Sequence, residues 1–142
     1  MQRVSRDDRI YVLAPHNKPV ASIDSGEELI VETWDAFEGV RDPAKLEEVA
    51  LRGPATGPIY VIGAEPGDAL KVEFISITAV GDAVHMVRPG RGFLDTQFNQ
   101  AHSTRMSIVD GQVVLPSGVR LPLQPSMGLV ATNPHVPAEH GQ

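Results

Sequence analysis

Three carboxylates and the only tryptophan of the chain fall within nine residues, Val31-Glu32-Thr33-Trp34-Asp35-Ala36-Phe37-Glu38-Gly39, where an apolar run ends. Side chains at the ends of strands, carried on the loops that follow, are where sites are commonly built. Continuing the alternation of that run past Val31 sets Thr33 and Asp35 on the face opposite Trp34. A carboxylate emerging beside apolar residues holds its proton more tightly unless a metal or a cation pairs with it, the setting of a general base or a metal ligand. Asp35 is therefore the first candidate for catalysis and for metal ligation. The competing reading is structural: Asp35 caps a turn over residues 36–39.

Histidine is the next source of chemistry. His16 follows Ala14-Pro15 and His140 precedes Gly141, so each sits where rigid backbone can aim a side chain into a pocket. Both are candidate metal ligands, although a lone loop histidine is more often simply solvated. His135 and His140 are spaced HxxxxH, but Pro134 and Pro137 exclude the regular helix that would align them. His85 and His102 carry less of an argument. Other chemistries are poorly supported. Arg88-Pro89-Gly90-Arg91-Gly92-Phe93 lacks the Lys-Ser/Thr and helix start of a phosphate loop, and reads as a flexible connection. Ser103 beside His102 has no nucleophile elbow around it.

The elements that must position these residues read as short strands. The 13 Gly and 12 Pro fall between brief apolar runs, the pattern of an all-β fold with many turns. Strands are expected over Ile10 to Leu13, Val20 to Ile23, Leu29 to Thr33, Ile59 to Ile62 and Leu70 to Ile77. Asp110-Gly111 between Met106 to Val109 and Val113 to Leu115 predicts a tight hairpin, because both residues tolerate the positive φ it needs. One helix is expected, Asp42 to Leu51, with Asp42 as cap, Pro43 in the first turn, and Leu46, Val49 and Ala50 sharing a face. The segment Ile23-Asp24-Ser25-Gly26-Glu27-Glu28-Leu29-Ile30-Val31-Glu32 is echoed at a constant offset of 41 by Ala64-Glu65-Pro66-Gly67-Asp68-Ala69-Leu70-Lys71-Val72-Glu73. The plain explanation is one turn type opening two strands.

Composition bounds the partners. A chain of 142 residues suits a single domain, and 42% hydrophobic with 21% charged residues is that of a folding globular protein. A net charge of −6 argues against a broad phosphate-binding surface and so against nucleic acid. With no cysteine, disulfides, thiolate metal sites and a Cys nucleophile are excluded. The N-terminal residues MQRVSRDDR lack the apolar core of a signal peptide, and no run approaches a membrane span, so a cytoplasmic location with no membrane partner is expected.

The ordered series of turns resembles the acetamidase/formamidase family, specifically its N-terminal half. The residues that carry the likeness are Pro19-Val20, Gly26-Glu27 and Val31 to Phe37. Gly53-Pro54-Ala55-Thr56-Gly57-Pro58-Ile59-Tyr60-Val61 then runs into Gly63-Ala64-Glu65-Pro66-Gly67-Asp68. Later come Gly90-Arg91-Gly92-Phe93-Leu94, Leu121-Pro122-Leu123-Gln124-Pro125-Ser126-Met127-Gly128, and Pro137-Ala138-Glu139-His140-Gly141.

What the resemblance implies is a jelly-roll-like β-sandwich that hydrolyses short amides such as formamide or acetamide to the acid and ammonia, with a divalent metal, zinc first, activating water. Members of that family run to roughly twice this length, and His140-Gly141 falls where they continue through a second Gly and an Asn to an Asp. Asp35 and His140 are thereby implied as active-site or metal positions, with His16 a further candidate ligand. Glu65 and Asp68 are expected to shape a turn. The remaining ligands are expected on a second polypeptide carrying the C-terminal half, or through self-association, with Met127, Leu129, Val130 and Val136 as candidates for the surface that meets it. The alternative is a non-catalytic sandwich module that binds a small ligand or serves as a structural subunit.

Overall fold

The structure, a computed structural model, describes residues 1–45, 53–90, 92–93, 95–134 and 138–139. It is nearly all β, the class expected, with strands spread over several sheets as in a β-sandwich. The chain divides into two compact units, Met1–Gly39 with Val49–Glu73 and Leu129–Gln142, and Val40–Glu48 with Phe74–Gly128.

The first unit is assembled from short ladders between distant stretches. Strand β1 (Gln2–Val4) runs parallel to β5 (Leu29–Val31), β2 (Arg9–Ile10) antiparallel to β6 (Ala55–Thr56), β3 (Val12–Leu13) antiparallel to β12 (Ala138–Glu139), and β4 (Ala21–Ile23) parallel to β7 (Ile59–Val61). The single strand expected over Ile10 to Leu13 is thus two, and the chain changes partner at Tyr11. Strand β1 was not expected, because its sequence is charged. Its Arg3 reaches the Glu32 carboxylate at 2.7 Å, while Val4, only 2% exposed, joins Ala14 and Ala21 in the core.

The echoed segments form the same turn twice. At Asp24-Ser25-Gly26-Glu27 the Glu27 N–H donates to the Asp24 carbonyl at 3.1 Å, and the Glu27 carboxylate accepts the Asp24 N–H at 3.1 Å. At Glu65-Pro66-Gly67-Asp68 the Asp68 N–H donates to the Glu65 carbonyl at 3.0 Å, and the Asp68 carboxylate accepts the Glu65 N–H at 2.9 Å. Gly26 at φ 86° and Gly67 at φ 105° take the left-handed backbone that makes glycine the natural residue there.

The second unit is a meander, β8 (Ala83–Val87), β9 (His102–Val109), β10 (Gln112–Val114) and β11 (Arg120–Pro122), in sheet order β11-β10-β9-β8 with every pair antiparallel. The expected hairpin is there. Asp110 at φ 49° and Gly111 at φ 70° close it, and Val109 pairs with Gln112. The helix expected from Asp42 falls largely outside the described residues. Its described start is a 3-10 turn, Pro43–Lys45, and the Asp42 carboxylate accepts the Ala44 N–H at 3.0 Å as a cap does.

The strand expected over Leu70 to Ile77 does not form: among the described residues, 70–77 enter no ladder, and Leu70, Val72, Phe74 and Ile75 are exposed. Alternation marks a chain able to be a strand. Without a partner, nothing offsets the entropy of holding it as one.

Candidate functional site

Strand β5 ends at Val31, so alternation no longer governs the carboxylates that follow. The chain instead makes a tight turn. Asp35 is exposed, its carboxylate accepts the Phe37 N–H at 2.8 Å, and its carbonyl accepts the Glu38 N–H at 2.9 Å. Of the two readings of Asp35, the turn cap is the one these bonds describe. They also hold the carboxylate in a fixed orientation at the surface, which a group that works on a substrate requires.

Sequence reading passed over the more enclosed carboxylate, Glu38. Its side chain is 17% exposed and its backbone has φ 49°, an uncommon value for a residue with a Cβ. Arg9 Nε donates to Glu38 Oε1 at 2.8 Å and to the Tyr11 hydroxyl oxygen at 3.0 Å, and the Tyr11 hydroxyl donates to the same Glu38 oxygen. The hydrogen bond to Tyr11 raises Arg9 above its ordinary value most. Burial opposes this, and the bond to Glu38 raises it further, so the guanidinium stays charged. The left-handed Glu38 is therefore tied to β2 and to the bend at Tyr11. The signal available in sequence was only its place as the third carboxylate of the segment, since a contact across 29 residues leaves no local pattern.

Trp34 walls the same turn. The Arg6 guanidinium lies 3.9 Å from the centre of its ring, and a Cβ added to Gly39 would come within 3.0 Å of the ring edge, which with φ 79° explains glycine there. The indole N–H is buried and has no acceptor among the described residues.

The other candidates are carried on other turns and strands or lie outside the described residues. His16 is exposed on the turn in which the Asn17 N–H donates to the Ala14 carbonyl at 3.1 Å and Asn17 Nδ2 to the Val12 carbonyl at 2.7 Å. His140 lies outside the described residues. Among those described, no three His, Asp or Glu come together as a metal ion would need, so they do not by themselves compose a zinc site. His85 and His102 are exposed on β8 and β9, and the Ser103 hydroxyl donates to the Arg41 carbonyl at 3.0 Å. Glu65 and Asp68 shape their turn as expected. Among the described residues no helix is long and apolar enough to cross a membrane.

Residues 10–140 match the Acetamidase/Formamidase family. The fold is similar to that of the acetamidase from Bacillus halodurans, with TM-score 0.91 and 34% identity over 99% of this chain and 49% of that one. It is similar also to a predicted acetamidase/formamidase from the thermophile Thermoanaerobacter tengcongensis, with TM-score 0.88 and 33% identity over 99% and 48% of the two chains. The acetamidase from Yersinia enterocolitica, at 21% identity and TM-score 0.64 over 85% and 42%, shares the fold. No curated protein matches the chain. The chain thus spans about half the length of the solved structures it resembles.

Proposed function

The chain belongs to the Acetamidase/Formamidase family, and from that premise we propose that it supplies one half of an enzyme that hydrolyses short linear amides to the acid and ammonia. The observation that carries this reading is the match over nearly the whole chain, in sequence and in fold, to half of an acetamidase. Hydrolysis requires that a water oxygen bond to the carbonyl carbon, that the carbon–nitrogen bond break, and that the nitrogen leave with a proton. Asp35 has a suitable place for this as general base. It takes the proton from the attacking water and returns it to the departing nitrogen. The Arg9–Tyr11–Glu38 cluster contributes by fixing the turn on which Asp35 is carried. A divalent metal remains part of the proposal, with His16 and His140, and Asp35 where it is ligand instead of base, as the share of its ligands that this chain offers and the rest on the other half.

The test is ammonia release from formamide and acetamide by the purified chain alone and mixed with the other half, with metal content measured on the same samples. Release and bound metal in the mixture only are expected. In that mixture, Asp35→Asn is expected to lower kcat/KM by at least about 100-fold. A well-folded complex with neither ammonia release nor metal would overturn the reading in favour of a non-catalytic sandwich module.

A further inference from the structure

The repeated turn delivers the chain into two stretches that match at three of four places, Leu29-Ile30-Val31-Glu32 and Leu70-Lys71-Val72-Glu73. The first is paired: β5 lies along β1, and the Glu32 N–H continues the ladder to the Val4 carbonyl at 3.0 Å. The second is unpaired among the described residues, although its turn is built from the same hydrogen bonds. Its apolar side chains are left in water, Leu70 at 46% and Val72 at 56% exposure.

The same unit presents two more exposed apolar side chains. Tyr60 and Ile62, two apart and so on one face of the chain leaving β7, are 47% and 52% exposed. Ile62 and Leu70 line one open hollow of about 280 Å³, together with Val61, Ala69 and the polar Ser25 and Asp68. Strand β7 has a ladder to β4 and no second one among the described residues. Open strand backbone beside exposed apolar side chains is the form of surface that accepts an added strand.

We propose that Tyr60, Ile62, Leu70 and Val72 form the seat for a polypeptide equivalent to the half of the acetamidases that this chain does not match, joined by strand pairing along residues 70–73. The occupant is argued from length. The solved relatives that share this fold over 99% of the chain carry a further half that it does not cover. The alternating apolar pattern of residues 70–73 is that of a strand with one covered face. The inference rests on the proposed half-enzyme for its choice of partner, and not on whether that enzyme hydrolyses amides.

Because the chain has no cysteine, Val72→Cys and Val80→Cys each introduce a unique thiol, the latter at an apolar position outside residues 60–73 that is 88% exposed. The partner used is the unmatched half of the Bacillus halodurans acetamidase, produced as a separate polypeptide and taken forward once circular dichroism and a cooperative thermal transition show it folded. Complex formation is read by light scattering, and thiol accessibility by the rate of maleimide labelling. A one-to-one complex is expected in which labelling at position 72 slows by about tenfold or more and labelling at position 80 is unchanged. Leu70→Lys with Val72→Lys, a charge on each exposed side chain, is expected to abolish the complex while leaving the circular dichroism of the chain unaltered. Absence of a complex, a complex in which position 72 labels at its free rate, or slowing of position 72 by the chain's own concentration alone would each overturn the proposal. The last would make the occupant a second copy. A complex protected at position 72 that releases no ammonia would leave the seat standing and remove only the proposed activity.

Discussion

The turns at Asp24-Ser25-Gly26-Glu27 and Glu65-Pro66-Gly67-Asp68 share a left-handed glycine, a reciprocal pair of hydrogen bonds and a sequel with Leu, Val and Glu at the same places. One sequel is strand β5 and the other is no strand at all. The two share Leu, Val and Glu at matching places and differ at Ile30 against Lys71, and they differ also in what lies alongside. Residues 29–31 have β1 to pair with, and residues 70–73 have nothing among the described residues. Turn chemistry is decided within four residues, whereas strand formation is decided by a neighbour.

The comparison can be broken most forcefully at that neighbour. Val4, buried in β1 and opposite Val31, is expected to cost about 2 kcal/mol on Val4→Ala, measured by urea unfolding. Val72→Ala, at the echoed position of Val31, is expected to change stability of the isolated chain by less than about 0.5 kcal/mol, because it removes no buried contact. A large cost there would show that residues 70–73 pack within this chain.

The turns themselves should respond alike. Gly26→Ala and Gly67→Ala meet no atom within 4 Å, so only the left-handed backbone is penalised, by about 1 kcal/mol in each. Unequal losses would show that the two turns are not equivalent. The smallest effect is at the carboxylates that reach back: Glu27→Ala and Asp68→Ala each remove one exposed hydrogen bond and are expected to cost about 0.5 kcal/mol.

The same division decides what was legible in the sequence. The Asp110–Gly111 hairpin, the Asp42 cap and both echoed turns were readable because their partners lie within a few residues. Strand β1 was not, since its sequence is charged and its place comes from pairing with a strand 27 residues away. Nor was the division of residues 10–13 into β2 and β3, which pair with Ala55–Thr56 and Ala138–Glu139 respectively. At the candidate site, the segment was found and its internal order was not. Asp35 stood out from alternation that stops at Val31, while Glu38 acquires its meaning only when Arg9 and Tyr11 fold against it. His140 and most of the expected helix lie outside the described residues.

Hydrogen exchange of the two echoed stretches, in the chain alone and after addition of the unmatched half of the Bacillus halodurans acetamidase, tests the central claim most directly. Slow exchange is expected at residues 30–32 in both samples, with residues 70–73 fast in the chain alone and slowed on addition. Residues 70–73 already slow in the isolated chain, or still fast in a complex that forms, would contradict it.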